Sequence, residues 1–77
     1  MNNQKVKIIN MVIECFEDYD VSNFNLETKF KEHEGWDSLC ALTLFTLADR
    51  DYGFSMTADD LKNIESIDDL AKLILNE

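Results

Sequence analysis

Gly35-Trp36-Asp37-Ser38-Leu39 runs straight into Cys40-Ala41-Leu42-Thr43-Leu44-Phe45-Thr46-Leu47-Ala48, and the reading of this junction decides the fold. The pattern predicts a helix that starts at Ser38. Asp37 and Ser38 both suit a helix start, because their side-chain oxygens can accept from the unpaired N–H groups of the first turn. Gly35 is read as the residue that lets the chain turn sharply just before it. The first turn of a helix offers free N–H donors and a partial positive charge, so a phosphate is well placed there. Position alone leaves two roles for Ser38: a plain cap, or the attachment point of a phosphate-linked group.

Working outward, the helix is predicted to run to about Tyr52, with Ala41, Leu44, Phe45, Ala48 and Tyr52 at helical spacing on the core side. Leu39, Leu42 and Thr46 fall towards the other side, so the helix is apolar around more of its circumference than a surface helix needs. Either the preceding loop buries these residues, or they form a contact surface for other proteins. Gly53 stands where a helix commonly ends.

Upstream, Val6, Ile9, Ile13 and Phe16 recur at helical spacing and predict an amphipathic helix over residues 5 to 16, its stripe widened by Met11, Val12 and Cys15. From about Asp20 to Trp36 the period is lost. Ser22, Asn23 and Asn25 favour turns, and a long surface loop pinned by Phe24, Leu26 and Phe30 is expected there. A loop of this length implies either function or a hidden short helix. Downstream, Thr57 to Leu61 reads as a capped short helical turn. Ser66-Ile67-Asp68-Asp69 opens a last helix that packs inward through Ile67, Leu70, Ala71 and Ile74. The expected architecture is an all-α four-helix bundle forming a single domain over residues 1–77, with three long helices, one short, and a long loop between the first and second.

Composition narrows the function. Seventy-seven residues make one small domain near the lower limit for a self-sufficient core. Sixteen acids against seven bases give a net charge of −9, which argues against a nucleic-acid binder and suits a chain that meets basic patches on partners. Cys15, Cys40 and the single His33 have no metal-ligand spacing, so no metal site is expected. The cysteines read as free thiols of a reducing compartment. Met1-Asn2-Asn3-Gln4 leads into an amphipathic segment rather than an apolar block, and no apolar run is long enough to span a bilayer. The expectation is a monomer in the cytoplasm.

Rival chemistries fare poorly. Counted from Asp49, an EF-hand reading over Asp49, Asp51, Gly53 and Asp60 puts glycine at the fifth place instead of the sixth and closes on Asp instead of Glu. A hydrolase built on His33, Asp37 and Ser38 lacks a Gly-x-Ser-x-Gly elbow and the length for a hydrolase sheet. Cys40 in a first helical turn could be a reactive thiol, or simply a small apolar residue. His33 is read as a solvated loop residue. No enzymatic activity is expected.

Asp37-Ser38-Leu39 at the head of a helix, in an acidic chain of this size, resembles an acyl carrier protein. The resemblance covers nearly the whole chain: Gly35-Trp36-Asp37-Ser38-Leu39 fits the attachment motif, and Leu44, Ala48 and Tyr52 fit the core of the second helix. Ile64, Ser66-Ile67 and Leu70 to Ile74 fit the closing helix. It implies that Ser38, flanked by the motif residues Asp37 and Leu39, is esterified by 4'-phosphopantetheine from coenzyme A, whose thiol carries an acyl group. The implied partners are a phosphopantetheinyl transferase, an acyl-loading ligase or synthase, and acyltransferases. Trp36, Leu39, Leu42, Thr46 and Asp49 are the candidate partner contacts.

One departure stands out. Fatty-acid carriers are usually rich in carboxylates on the exposed side of the second helix, whereas here the positions after Ser38 read Cys40, Thr43 and Thr46, with Arg50 adding a positive charge. That points to a dedicated carrier in a secondary or envelope pathway more than to the housekeeping fatty-acid carrier. An aminoacyl or peptidyl carrier of the D-alanyl type is the nearest alternative. A helical interaction domain that carries nothing is the alternative of another class.

Overall fold

The computed structural model of the protein describes residues 3–77; Met1 and Asn2, on which part of the leader reading falls, lie outside the described residues. The described residues form four α-helices and one 3-10 turn: α1 (Asn3–Glu14), the turn at Phe30–Glu32, α2 (Ser38–Tyr52), α3 (Ala58–Asn63) and α4 (Ile67–Leu75). This is the expected all-α four-helix bundle, with α3 as the short member. It measures 29 × 28 × 21 Å. The described helices pack chiefly by α1 against α4, and then α1 against α2.

The first helix ends two residues before the expected boundary, and its buried line differs. Ile8, Met11, Val12 and Cys15 face the core, while Val6, Ile9 and Ile13 are only partly covered. The expected line through Val6, Ile9 and Ile13 lies one residue, about a third of a turn, from the buried line through Ile8, Met11, Val12 and Cys15. Phe16 is 3% exposed although it lies past the helix end, because its ring joins a cluster beneath the loop.

That loop is less superficial than its polarity suggests. Val21 and Phe30 are buried, and Phe24 and Leu26 are half-buried against the core. The hidden short helix is the single 3-10 turn at Phe30. The Thr28 and Leu26 carbonyls accept the Ile67 and Asp68 N–H groups at 3.0 and 2.8 Å, so the loop closes the first turn of α4. Lys31 donates to the Leu61 carbonyl and ties the same loop to α3.

Both C-terminal helices begin with reciprocal caps. Thr57 accepts the Asp60 N–H while the Asp60 carboxylate accepts the Thr57 N–H, and Ser66 and Asp69 repeat the arrangement on α4. Gly53 ends α2 at φ 61°, a left-handed conformation in which a side chain is strained.

Candidate functional site

α2 starts at Ser38, and its cap is Asp37. Asp37 is extended (φ −150°, ψ −175°), and its Oδ1 accepts the Cys40 N–H at 2.9 Å. That bond holds the Asp37 carboxyl below the usual carboxylate range, because it favours the charged form. Ser38 is therefore the first helical residue rather than the cap. Its side chain is exposed and its hydroxyl has no hydrogen-bond partner among the described residues. The helix start thus offers a free hydroxyl at the positive end of a fifteen-residue helix whose first-turn N–H groups are capped by Asp37.

The residues around it come from three segments. α1 and its extension bring Cys15 to Tyr19, the loop brings Gly35 to Asp37, and α2 supplies Leu39, Cys40 and Thr43. Together they line a cleft of about 200 Å³ next to Ser38. Cys40 is buried at its floor, and its thiol lies 3.1 Å from the Cys15 carbonyl and 3.4 Å from that of Gly35. The placement of Cys40 on the outer face is corrected: the third residue of α2 points inward and pins the serine's turn to the end of α1. Burial raises the Cys40 pKa and pushes the Cys15 thiol up to about 12, so neither is poised as a thiolate.

Gly35 also has a different reason from the expected one. Its φ is not positive, but a Cβ there would sit 2.6 Å from the Tyr19 ring. The glycine is needed for a close approach, not for a turn. His33 holds that approach in place and is not a solvated loop residue. It is half-buried, its Nδ1 accepts the Gly35 N–H at 2.9 Å, and its ring meets Phe16, Tyr19 and Phe24 edge-on at 5.0 to 5.8 Å. Sequence reasoning missed this positioning role. The one signal was a histidine two residues before a glycine among scattered aromatics.

On the exposed side of α2, Leu39, at the cleft's edge, is 68% and Leu42 60% exposed, and Thr46 and Asp49 continue the same stripe in the open. The Thr43 and Thr46 hydroxyls both turn back to donate to the Leu39 and Leu42 carbonyls, at 2.9 and 3.0 Å. With both hydroxyls bonded to the helix's own carbonyls, the face is more apolar than two threonines suggest. The core line is Cys40, Leu44, Leu47 and Ala48, with Ala41, Phe45 and Tyr52 half-covered at its margins. Trp36 does not share the outer face. It is half-buried, with its ring 5.3 Å from Phe30 and 6.1 Å from Phe16.

A small helical bundle that leaves one serine hydroxyl unused at an open helix start is a domain suited to carrying a group attached there. The profile of the family described as phosphopantetheine attachment site matches residues 7–74, and the chain belongs to that family of phosphopantetheine-binding carrier proteins. The prosthetic group of the family is 4'-phosphopantetheine. No curated protein and no solved structure matches the chain. The residues present fit the group: the Ser38 hydroxyl is exposed and unbonded at the positive end of α2. No helix among the described residues is long and apolar enough to cross a membrane.

Proposed function

We propose that Ser38 is the attachment point, and that the protein carries acyl groups as thioesters on the arm and delivers them to partner enzymes of a specialised pathway. The observation that carries this reading is the free hydroxyl at the first residue of α2, beside an Asp37 that has taken over the capping task. The chain's own work is presentation rather than catalysis. α2 holds the hydroxyl outward, its dipole offsets the charge of the phosphodiester, and Asp37 fixes the turn. The group itself supplies the thiol on which a thioester can form.

The outer stripe of α2 supports the choice of a specialised pathway. Leu39, Leu42 and the two threonines bonded back to the helix offer an apolar contact, and Asp49 is the first acid along that stripe. Recognition is then set by fit against a partner's apolar recess more than by long-range steering from the helix. Leu39, Leu42, Thr46 and Asp49 form the contact; Trp36 acts from beneath by holding the loop that leads to Ser38. The phosphopantetheinyl transferase, the loading ligase or synthase and the acyltransferases are read as sharing this face.

The test is intact mass before and after incubation with coenzyme A and a broad-specificity phosphopantetheinyl transferase. The wild type should gain one phosphopantetheine and Ser38→Ala none. A folded, initially unmodified wild type that gains nothing with several transferases would favour the interaction-domain reading. Loading of the modified protein by an adenylating ligase with amino acids but not fatty acids would assign it to the aminoacyl class.

A further inference from the structure

His33 is the one histidine of the chain, and its ring sits in the turn that leads to Ser38. Two N–H groups of that turn depend on it. The His33 carbonyl accepts the Trp36 N–H at 3.0 Å, and its Nδ1 accepts the Gly35 N–H at 2.9 Å. The turn then passes the chain to α2: the Gly35 carbonyl lies 3.4 Å from the Cys40 thiol, and Asp37 accepts the Cys40 N–H. Ser38 stands inside this set of bonds.

A ring nitrogen that accepts a hydrogen bond carries no proton, so the neutral His33 ring holds its proton on Nε2. A second proton goes to Nδ1, where it sets a donor against the Gly35 N–H, and the bond is lost. The ring has little room to turn away, because Phe16, Tyr19 and Phe24 meet it edge-on at 5.0 to 5.8 Å. Gly35 is pressed against Tyr19, where an added Cβ would lie 2.6 Å from the ring, so the displacement passes to Trp36, Asp37 and Ser38. Of the groups in contact with the ring, Tyr19 is titratable. The segments around it carry Glu17, Asp18 and Asp20 after α1 and Lys31, Glu32 and Glu34 on its own turn, while Ser22 to Leu26, around Phe24, is uncharged. Among the described residues, none of these charged side chains bonds to the ring.

We propose that His33 is a positioning residue for transfer of the arm to Ser38 and acts as a proton-sensitive latch: the neutral ring holds the turn, and the protonated ring releases it. The proposal rests on attachment of the arm at Ser38. A transferase needs the serine hydroxyl in one place, and a loosened turn spreads it over several. Arm transfer therefore slows in mild acid, while the buried core, to which His33 does not belong, stays intact.

The test is the rate of arm transfer to the full chain, read by intact mass between about pH 8 and about 5.5, the range in which imidazoles titrate. Each variant is compared with wild type at the same pH, so the transferase's own pH dependence cancels. His33→Asn keeps an acceptor for the N–H two residues on, as in an Asx turn, but one that takes no proton. His33→Phe keeps a ring in the aromatic cluster and has no acceptor. Wild type should match His33→Asn at the upper end. At the lower end it should fall about fivefold, the worth of one ordinary hydrogen bond, and meet His33→Phe. With one histidine in the chain, the ring proton shifts follow His33 alone, and their midpoint should coincide with those of the rate ratio and the Gly35 amide shift. A ratio to His33→Asn that stays flat while the ring titrates would overturn the latch, as would a Gly35 amide that does not follow the ring. Should either variant fail to fold, the Gly35 amide of the wild type still decides. A flat ratio with normal mass gain removes the role of His33 alone, whereas no mass gain at any pH overturns the attachment reading and the positioning role with it.

Discussion

α2 and α4 begin in opposite ways. At α4 the first helical N–H groups are taken by the Thr28 and Leu26 carbonyls, the third by Ser66, and Asp69 returns the bond to the cap. Every polar group at that end is used for holding the chain together. At α2 the cap is an aspartate, the serine sits one place further in, and its hydroxyl holds nothing. A hydroxyl one position earlier would serve as a cap; moved into the helix, it is released to solvent on a fixed backbone. The same residue type is structural at Ser66 and available at Ser38, and the difference is one residue of register.

The two helices also differ along their length. α4 buries Ile67, Leu70 and Ala71 against the bundle, whereas α2 gives one side to the core and shows two leucines to water. The contrast should be visible at once in stability. Leu70→Ala removes a fully buried side chain and should cost about 3 kcal/mol, while Leu42→Ala should stay within about 0.5 kcal/mol in the same urea titration. A large cost at Leu42 would mean that the outer stripe is structural and that its reading as a partner contact is wrong.

A smaller effect separates the two serines. Ser66→Ala should lower stability by about 1 kcal/mol through loss of its cap bond, and Ser38→Ala by less than about 0.5 kcal/mol. Equal losses would show that Ser38 has a structural task after all. The expected inequality also ensures that failure to modify Ser38→Ala is not failure to fold.

The smallest effect concerns acid. The Asp69 carboxyl is held below its ordinary range by the Glu65 and Ser66 N–H groups, and that of Asp68 by Lys72 and Lys5. A carboxyl with a lowered folded pKa stabilises the fold above its unfolded value, about 3.9, and loses that contribution as pH falls through the lowered one. The stability advantage of wild type over Asp69→Asn should therefore be constant from pH 7 to about 5 and shrink below about 4. An advantage that held to pH 2 would show that the contribution of Asp69 does not depend on its charge.

Much of this was legible in the chain. The all-α class, the four helices, the caps at Thr57 and Ser66, the stop at Gly53 and the start of α2 at Ser38 all rest on local chemistry: hydroxyls and carboxylates that satisfy first-turn donors, a glycine that tolerates positive φ, and a period near 3.6. What was misread depended on contacts distant in sequence. Cys40 looked surface-exposed because the outer face was counted from Ser38, and only the approach of the α1 end turned it inward. Gly35 looked like a turn residue, yet its need comes from a ring sixteen positions earlier in the chain. His33 looked solvated because nothing in its own segment says that three aromatic rings converge on it.

By itself, then, the sequence determined where α2, α3 and α4 start, where α2 stops and which serine stands at its head, because caps and periodicity act within a few residues. The tertiary structure decided which face of each helix is buried and that a cleft lies beside the serine. Those outcomes come from packing between segments far apart in the chain. There, the shape and volume of neighbouring side chains choose among faces that hydrophobicity alone leaves nearly equivalent.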